Sequence, residues 1–155
     1  MTALEFSQSV VVGATPEALY SMVSDVTRTG EWSPICRECW WAEGADGGVG
    51  SQFTGRNSTE DRTWETTSTV EVADPGHEFA WIVGNSFVRW GYTMEPAGSG
   101  STTLTESWKF LPDGIAFFHD TFGDSAQKEI DIRSAAALDG IPATLAAIKS
   151  AAEKG

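Results

Sequence analysis

Apolar and polar residues alternate along Leu4–Val12, a segment rich in β-branched side chains. This period of two predicts a β-strand with one buried face. The spacing then changes to the three- and four-residue repeat of a helix, behind Thr15 as a cap and Pro16 in the first helical position. A second short helix is predicted over "VTRTG", so two short helices follow the first strand.

Alternation returns after these helices and recurs in six further segments. Loops rich in Gly, Asp, Asn and Ser, such as "GADGG" and "PAGSGS", separate the segments and suit hairpin turns. Consecutive strands with short loops predict an antiparallel meander, which the first strand completes to seven. The six predicted strands are Arg37–Glu43, Gly50–Asn57, Thr63–Val72, Glu78–Gly84, Phe87–Glu95 and Thr102–Phe110.

The last part of the chain is helical in pattern. A short helix is predicted over Ile115–Phe122, followed after Gly123 by a long helix to about Glu153. Pro142 lies inside the long helix, removes one hydrogen bond and predicts a bend there. The predicted apolar stripe consists of Ile130, Ala137, Leu138, Ile141, Leu145, Ile148 and Ala152.

These elements predict a single α+β domain over residues 1–155. A seven-stranded antiparallel sheet must curl and cover its apolar face, and one long helix can do so. Strand alternation assigns an aromatic inner face with a few polar positions, Thr66, Ser68, Tyr92 and Glu106. An apolar lining with sparse polar groups is typical of a small-molecule pocket, although a packed core with satisfied hydroxyls fits the same pattern.

Composition and charge narrow the range of partners. The chain has 7 Trp and 8 Phe, which favours a large apolar core or a pocket wall. The net charge of −12 opposes binding to nucleic acid or to anionic lipid. No apolar run reaches the roughly 20 residues of a membrane span, and the N-terminus lacks the pattern of a signal peptide. We therefore expect no nucleic-acid partner, no membrane insertion and a cytoplasmic location.

Both cysteines lie in "WSPICRECWW", spaced as C-x-x-C. This spacing occurs in zinc sites and in redox dithiols. A zinc site would need His77 and His119, which are far apart in the chain, so no metal and no cofactor are predicted. Strand alternation would turn Arg37, Cys39 and Trp41 inward and Cys36 outward, which argues against a disulfide.

Several motifs together resemble a known family. "TPEALYSMVSDVTRTGEWSP", "GVGSQFTGRN", "RTWETTSTVEVADPGHEFAW", "VRWGYTMEP", "TTLTESWKF" and "DGIPATLAAIKSAAE" follow one another along nearly the whole chain. They are similar to the polyketide cyclase/dehydrase branch of the START/Bet v 1-like (SRPBCC) superfamily. The resemblance implies a helix-grip fold, in which a seven-stranded antiparallel sheet wraps around a long C-terminal helix and encloses a hydrophobic cavity.

The resemblance also implies positions in a pocket. Trp32, Ser68 and Trp90 match pocket residues of aromatase/cyclases in this superfamily. Cys39 stands where those enzymes carry a Tyr, and Val70 stands where they carry an Arg. Glu106 is then the best candidate for an acid–base group, because burial raises the pKa of a carboxyl. The alternative is that Glu106 pairs with Arg133 of the long helix or with a pocket hydroxyl.

The sequence thus predicts a protein that binds a hydrophobic, ring-bearing small molecule. One interpretation is a polyketide cyclase/dehydrase, with Glu106 and Ser68 as catalytic residues. A carrier or sensor without catalysis, for a lipid or an aromatic ligand, is the alternative. A sheet-edge interaction module is a third possibility, and a monomer or a homodimer is expected. The predicted ligand-binding residues are Trp32, Cys39, Trp41, Phe53, Trp64, Trp81, Trp90, Tyr92, Trp108, Phe118, Phe122, Ile141 and Leu145.

Overall fold

A computed structural model describes residues 4–154 as one curled sheet with helices on its inner face. The strand order is β1-β7-β6-β5-β4-β3-β2, and all neighbours are antiparallel. This confirms the predicted α+β meander. The strands are β1 Glu5–Val12, β2 Cys36–Trp41, β3 Gln52–Ser58, β4 Thr63–Asp74, β5 Glu78–Val83, β6 Val88–Pro96 and β7 Thr102–Phe110, and the helices are α1 Pro16–Val23, a 3₁₀ helix Val26–Glu31, α2 Pro112–Phe122, a 3₁₀ turn Gly123–Ser125 and α3 Ala126–Lys154.

Local sequence explains where the short helices begin. The Thr15 hydroxyl accepts a hydrogen bond from the Ala18 amide at 3.1 Å, and Pro16 occupies the first turn of α1. The Asp25 carboxylate accepts from the Thr27 amide at 3.1 Å at the start of the 3₁₀ helix. Such caps satisfy amides that have no partner inside a helix. Both short helices therefore form where the sequence predicted them.

The register of the sheet arranges inner side chains in rows, because directly opposed residues of antiparallel strands share a face, and three of these rows matter for the site. The Trp row consists of Val70, Trp81, Trp90, Trp108 and Phe6. The Glu106 row consists of Ala73, Phe79, Tyr92, Glu106 and Gln8. The Ser68 row consists of Trp41, Phe53, Ser68, Val83, Val88 and Phe110.

Helix α3 covers this inner face. Its C-terminal end is fastened to β1, because the Lys149 ammonium donates to the Val11 carbonyl at 2.8 Å and the Glu153 carboxylate accepts from the Gly13 amide at 2.8 Å. The prediction for Leu138 was wrong, since that side chain is 58% exposed. The buried side chains of α3 are Ala126, Ile130, Ser134, Ala137, Ile141, Thr144, Leu145 and Ile148, so two polar residues stand within the stripe.

Helix α2 is held by aromatic contacts at the end of the sheet. Phe117 stacks on Phe87 with ring centroids 4.5 Å apart, and Phe118 packs edge-on against Phe110 at 5.1 Å. Helix α3 continues through Pro142 as one helix of 29 residues. Within residues 4–154, no helix combines the length and the apolar character needed to cross a membrane.

Two β-bulges change which side chains face inward. In β4 the register shifts between Val70 and Val72, so Ala73 opposes Phe79 on the inner face. Alternation along the predicted strand Thr63–Val72 would turn Val72 inward with Val70, and this expectation is wrong because Val72 opposes Ala80 beyond the shift. In β2 the register shifts between Cys36 and Glu38. A bulge adds one residue to a strand and reverses the alternation beyond it.

We expect Gly114→Ala and Gly140→Ala to change the free energy of unfolding in opposite directions. A Cβ on Gly114 would lie 2.3 Å from the Phe87 carbonyl oxygen, so α2 would have to move, at a cost of about 1–3 kcal/mol. A Cβ on Gly140 would lie 3.6 Å from the nearest atom of Pro34, an ordinary contact, so the gain in helix propensity of about 0.5–1 kcal/mol should remain. Urea denaturation of both variants measures the two effects, and equal shifts would contradict the described packing of α2.

Candidate ligand-binding site

A continuous series of rings lines the concave side of the sheet. We call the six residues Tyr20, Trp41, Phe53, Phe79, Trp81 and Tyr92 the aromatic wall. Trp81 lies at its centre, with ring centroids 6.0 Å from Phe53, 5.8 Å from Phe79 and 5.9 Å from Tyr92. Trp41 extends the wall from Phe53 at 5.6 Å, and Tyr20 of α1 extends it from Phe79 at 6.1 Å. These spacings are within the range of favourable aromatic pairs.

Trp41 and Tyr20, which extend the wall beyond Phe53 and Phe79, also line a surface cleft of about 390 Å³. This volume is in the range of small-molecule sites. The Asp46 carboxylate in the cleft accepts hydrogen bonds from the Gly48 amide at 2.8 Å and the Ser51 hydroxyl at 3.0 Å, which lowers the pKa of Asp46. The cleft is lined by Tyr20, Ser24, Asp25, Trp41, Ala45, Asp46 and Gly47.

Glu106 is a buried carboxyl next to Tyr92 of the aromatic wall. It is 4% exposed, opposes Tyr92 across the strands and is hydrogen-bonded to the Tyr92 hydroxyl. Burial raises the pKa of Glu106 to about 8, although the hydrogen bond from Tyr92 acts in the other direction. Burial and then the nearby Glu106 raise the pKa of Tyr92 well above its ordinary value. Glu106 is therefore mostly protonated near neutral pH.

One oxygen of this carboxyl, Oε1, is buried without a hydrogen-bond partner. Arg133 does not supply one, because its guanidinium pairs with the Glu129 carboxylate at 3.0 Å and lies over the Phe118 ring at 5.1 Å. The alternative of a Glu106–Arg133 pair was thus wrong. Ser134 Oγ on α3 is likewise buried without a partner. Each such group costs about 1–3 kcal/mol unless water or a ligand satisfies it.

Ser68 lies in another part of the inner face. Its side chain is buried, and its neighbours across the strands are Phe53 and Val83. Strands β5 and β6 separate it from Glu106, and the two residues belong to different rows of the sheet. The register therefore does not bring the two predicted catalytic residues together, and their roles stay predictions.

The remaining predicted pocket residues lie in different surroundings. Trp64 lies under the Arg62 guanidinium at 4.4 Å and belongs to neither of the two buried apolar clusters. Phe122 packs against Phe118 at 5.2 Å near the end of α2. In the cluster between α3 and the sheet lie Trp32, Trp90, Tyr92, Trp108, Phe118, Ile141 and Leu145, while the second cluster contains Cys39, Trp41 and Phe53, and Trp81 contacts both.

Sequence reasoning missed two contributors to the site. Tyr20 was not selected, because it stands beside the apolar face predicted for α1 and not on it. Ser134 was not selected either, although it lies four residues after Ile130 and three before Ala137, on the stripe itself. Helical spacing alone could have placed Ser134 on the buried face.

Comparison with known proteins identifies the family and supports the fold. Residues 3–146 match the family described as polyketide cyclase/dehydrase and lipid transport. The chain belongs to this family. Among curated proteins, none matched the chain.

Solved structures agree with this assignment. A polyketide-cyclase-like protein from Corynebacterium glutamicum is 51% identical, with a TM-score of 0.71 over 97% of this chain and 91% of that chain. The Zhui aromatase/cyclase from Streptomyces sp. R1128 is 15% identical, with a TM-score of 0.75 over 97% and 93% of the two chains. A START superfamily protein from Mycobacterium smegmatis is 18% identical, with a TM-score of 0.66 over 97% of each chain. The last two show the helix-grip fold of the START superfamily.

We expect Glu106→Gln to alter how stability depends on pH. The pKa of Glu106 is about 8 when folded and 4.5 ordinarily, so between these values the folded protein holds a proton that the unfolded chain has released. The free energy of unfolding of the wild type should therefore fall relative to the variant as pH rises from about 4.5 to about 8, by at most about 1.4 kcal/mol per pH unit. Urea denaturation across this range tests the expectation, and parallel profiles would contradict it.

Proposed function

We propose that the protein binds a hydrophobic, ring-bearing small molecule against the aromatic wall and acts on it by acid–base chemistry at Glu106. The family assignment supports a hydrophobic ligand, since the family is described by polyketide cyclisation or dehydration and by lipid transport. The closely spaced rings of the wall, which lie tilted or edge-on to one another, suit an apolar partner that itself carries a ring. A polyketide-like compound, with rings and oxygen atoms, combines both requirements.

The observation that carries the proposal is the unpaired Oε1 of Glu106. A carboxyl buried beside Tyr92 and Trp108 is costly for the fold, and its free oxygen offers a hydrogen bond to a group that enters the site. A hydroxyl or ketone on the ligand would supply that group. This requirement favours an oxygen-bearing ligand over a plain hydrocarbon.

Protonated Glu106 would provide the acid of a dehydration. Its proton would pass to the leaving hydroxyl of a β-hydroxy ketone, which departs as water. The carboxylate that remains would take a proton from the carbon between the carbinol and the ketone, so the new double bond forms and Glu106 regains its proton. A pKa of about 8 suits a group that gives and accepts protons near neutral pH.

A carrier or sensor without catalysis is the second candidate. Cys39 and Val70 favour it, because they stand where aromatase/cyclases similar to this chain carry a Tyr and an Arg. Neither a buried thiol nor an aliphatic side chain stabilises a developing enolate as a guanidinium can. In this case Glu106 would only recognise an oxygen of the ligand.

The binding part is tested with naphthol by isothermal titration calorimetry. Trp81→Ala should weaken binding about tenfold or more, because Trp81 is the centre of the wall and contacts three of its rings. The matched control is Trp40→Ala, since Trp40 is 36% exposed and lies under Arg56 away from the wall. This control should stay within about twofold of the wild type. Equal losses in both variants, or no binding by the wild type, would overturn the proposed site.

The catalytic part is tested with a β-hydroxy ketone that carries an aromatic ring. The wild type should release water from it, as followed by mass spectrometry, and Glu106→Gln should lower the rate about a hundredfold or more while it still binds naphthol. Binding of naphthol without any turnover of this ketone by the wild type would overturn the catalytic proposal and support the carrier. Turnover that is unchanged in Glu106→Gln would remove Glu106 from the chemistry.

A further inference from the structure

The two cysteine sulfurs meet on the inner face of the sheet. Cys36 Sγ lies 3.1 Å from Cys39 Sγ, and both thiols are free. The bulge at Arg37 causes this, because it adds a residue between Cys36, which opposes Asn57, and Cys39, which opposes Gly55. The predictions that Cys36 points outward and that Arg37 points inward were therefore wrong, and Arg37 is exposed.

Two glycines make room for this arrangement. A Cβ on Gly55 would lie 3.2 Å from Cys36 Sγ and 3.3 Å from Cys39 Sγ, so the pair occupies the space that a side chain on β3 would fill. A Cβ on Gly30, in the 3₁₀ helix, would lie 2.2 Å from the Arg37 carbonyl oxygen. The close approach of the 3₁₀ helix to the bulge thus also requires glycine. Gly55 thus leaves space for the two sulfurs, and Gly30 leaves space for the backbone of the bulge beside them.

Polar contacts fix the position and the protonation of the pair. The Cys36 amide donates to Ser33 Oγ at 2.9 Å, which sets the entry to β2. The hydrogen bond between the sulfurs raises the pKa of Cys36 and lowers the pKa of Cys39, and a hydrogen bond with the Thr29 side chain also lowers the latter. After one ionisation the two sulfurs share one proton. Cys39 is 8% exposed and Cys36 is half-buried, so the thiol with the lowered pKa is the more enclosed of the two.

We infer that Cys36 and Cys39 form a reversible intramolecular disulfide when the protein meets a peroxide. The sulfurs need to approach by only about 1 Å to reach bonding distance. This inference is independent of the ligand and of the chemistry at Glu106, because neither thiol contributes to that chemistry.

The reaction balances with hydrogen peroxide as the oxidant. Cys39, whose pKa is lowered, ionises first, and its thiolate attacks one oxygen of the peroxide, whose O–O bond breaks. The Cys39 sulfenic acid forms, and the other oxygen leaves as hydroxide and becomes water. The Cys36 thiolate, after losing its proton, attacks the Cys39 sulfur and displaces the hydroxyl as a second water. Two thiols and one peroxide thus give one disulfide and two waters, and an added dithiol reverses the bond.

The test is intact-mass spectrometry of the full chain after treatment with hydrogen peroxide and then with an alkylating reagent. The expected product has lost two hydrogen atoms and carries no alkyl group, and dithiothreitol restores two alkylation sites. Cys36→Ser and Cys39→Ser, each with one thiol, should not give this product. Retention of two reactive thiols, gain of oxygen atoms without loss of hydrogens, or a disulfide-linked dimer would overturn the inference.

A variant of Gly55 distinguishes a built arrangement from mere proximity in sequence. Gly55→Ala keeps both cysteines but places a methyl group in close contact with both sulfurs, which must then shift, so disulfide formation should slow about tenfold or more. Gly13→Ala is the matched control, since Gly13 follows β1 at the opposite edge of the sheet from β2, and its added methyl group would contact only Glu153, at 3.4 Å. It should oxidise at the wild-type rate. Circular dichroism confirms that both variants are folded, and wild-type kinetics in folded Gly55→Ala would overturn the structural argument. If Gly55→Ala does not fold, Thr29→Val, which removes the hydroxyl beside Cys39, should slow the same reaction, and an unchanged rate there would count against it.

Discussion

The antiparallel register of the seven strands is the constraint on which the rest of the molecule depends. It aligns inner side chains from different strands into rows, so that Trp81, Trp90 and Trp108 lie side by side across β5, β6 and β7. A face of this kind cannot remain in water, because it would expose several hundred Å² of apolar surface. Helix α3 packs over its β1 and β7 side and α1 over its β5 and β6 side, and hydrogen bonds to Val11 and Gly13 hold the C-terminal end of α3. The burial of Glu106 follows, since its row lies beneath the same cover.

Close backbone approaches supply a second constraint, and they occur where glycine is present. Gly114 lets α2 lie against Phe87, and Gly30 lets the 3₁₀ helix lie against the bulge of β2. Any side chain at these positions would collide with a carbonyl that cannot move without its strand. The bulge in turn sets the position of Cys36. The bulge in the edge strand β2 is thus what brings the Cys36 and Cys39 thiols together.

The buried polar groups are the features that indicate function, because packing alone accounts for the buried apolar groups. Burial raises the pKa of Glu106, and one oxygen of its carboxyl has no hydrogen-bond partner next to the aromatic wall. A fold can tolerate that cost of a few kcal/mol where a ligand repays it. Arg133 could have neutralised the carboxyl from α3, but its pairing with Glu129 and its position over Phe118 direct it elsewhere.

The sequence by itself determined the elements, their order and most of the inner face, because alternation, helical spacing and turn residues act over a few neighbouring positions. It predicted every strand to within about two residues, and it assigned Glu106 to the interior correctly. The tertiary structure alone decided the partners of these residues. Whether Glu106 meets Tyr92 or Arg133, and whether Cys36 meets Cys39, depends on cross-strand register and on bulges. Alternation placed Ser68 and Glu106 on the inner face and the family resemblance singled out Ser68, yet strands β5 and β6 lie between the two residues. Alternation with a period of two predicts only which face of a strand a side chain occupies. The prediction fails beyond an added residue, as at Arg37 and Glu71, where the strand pairing shifts.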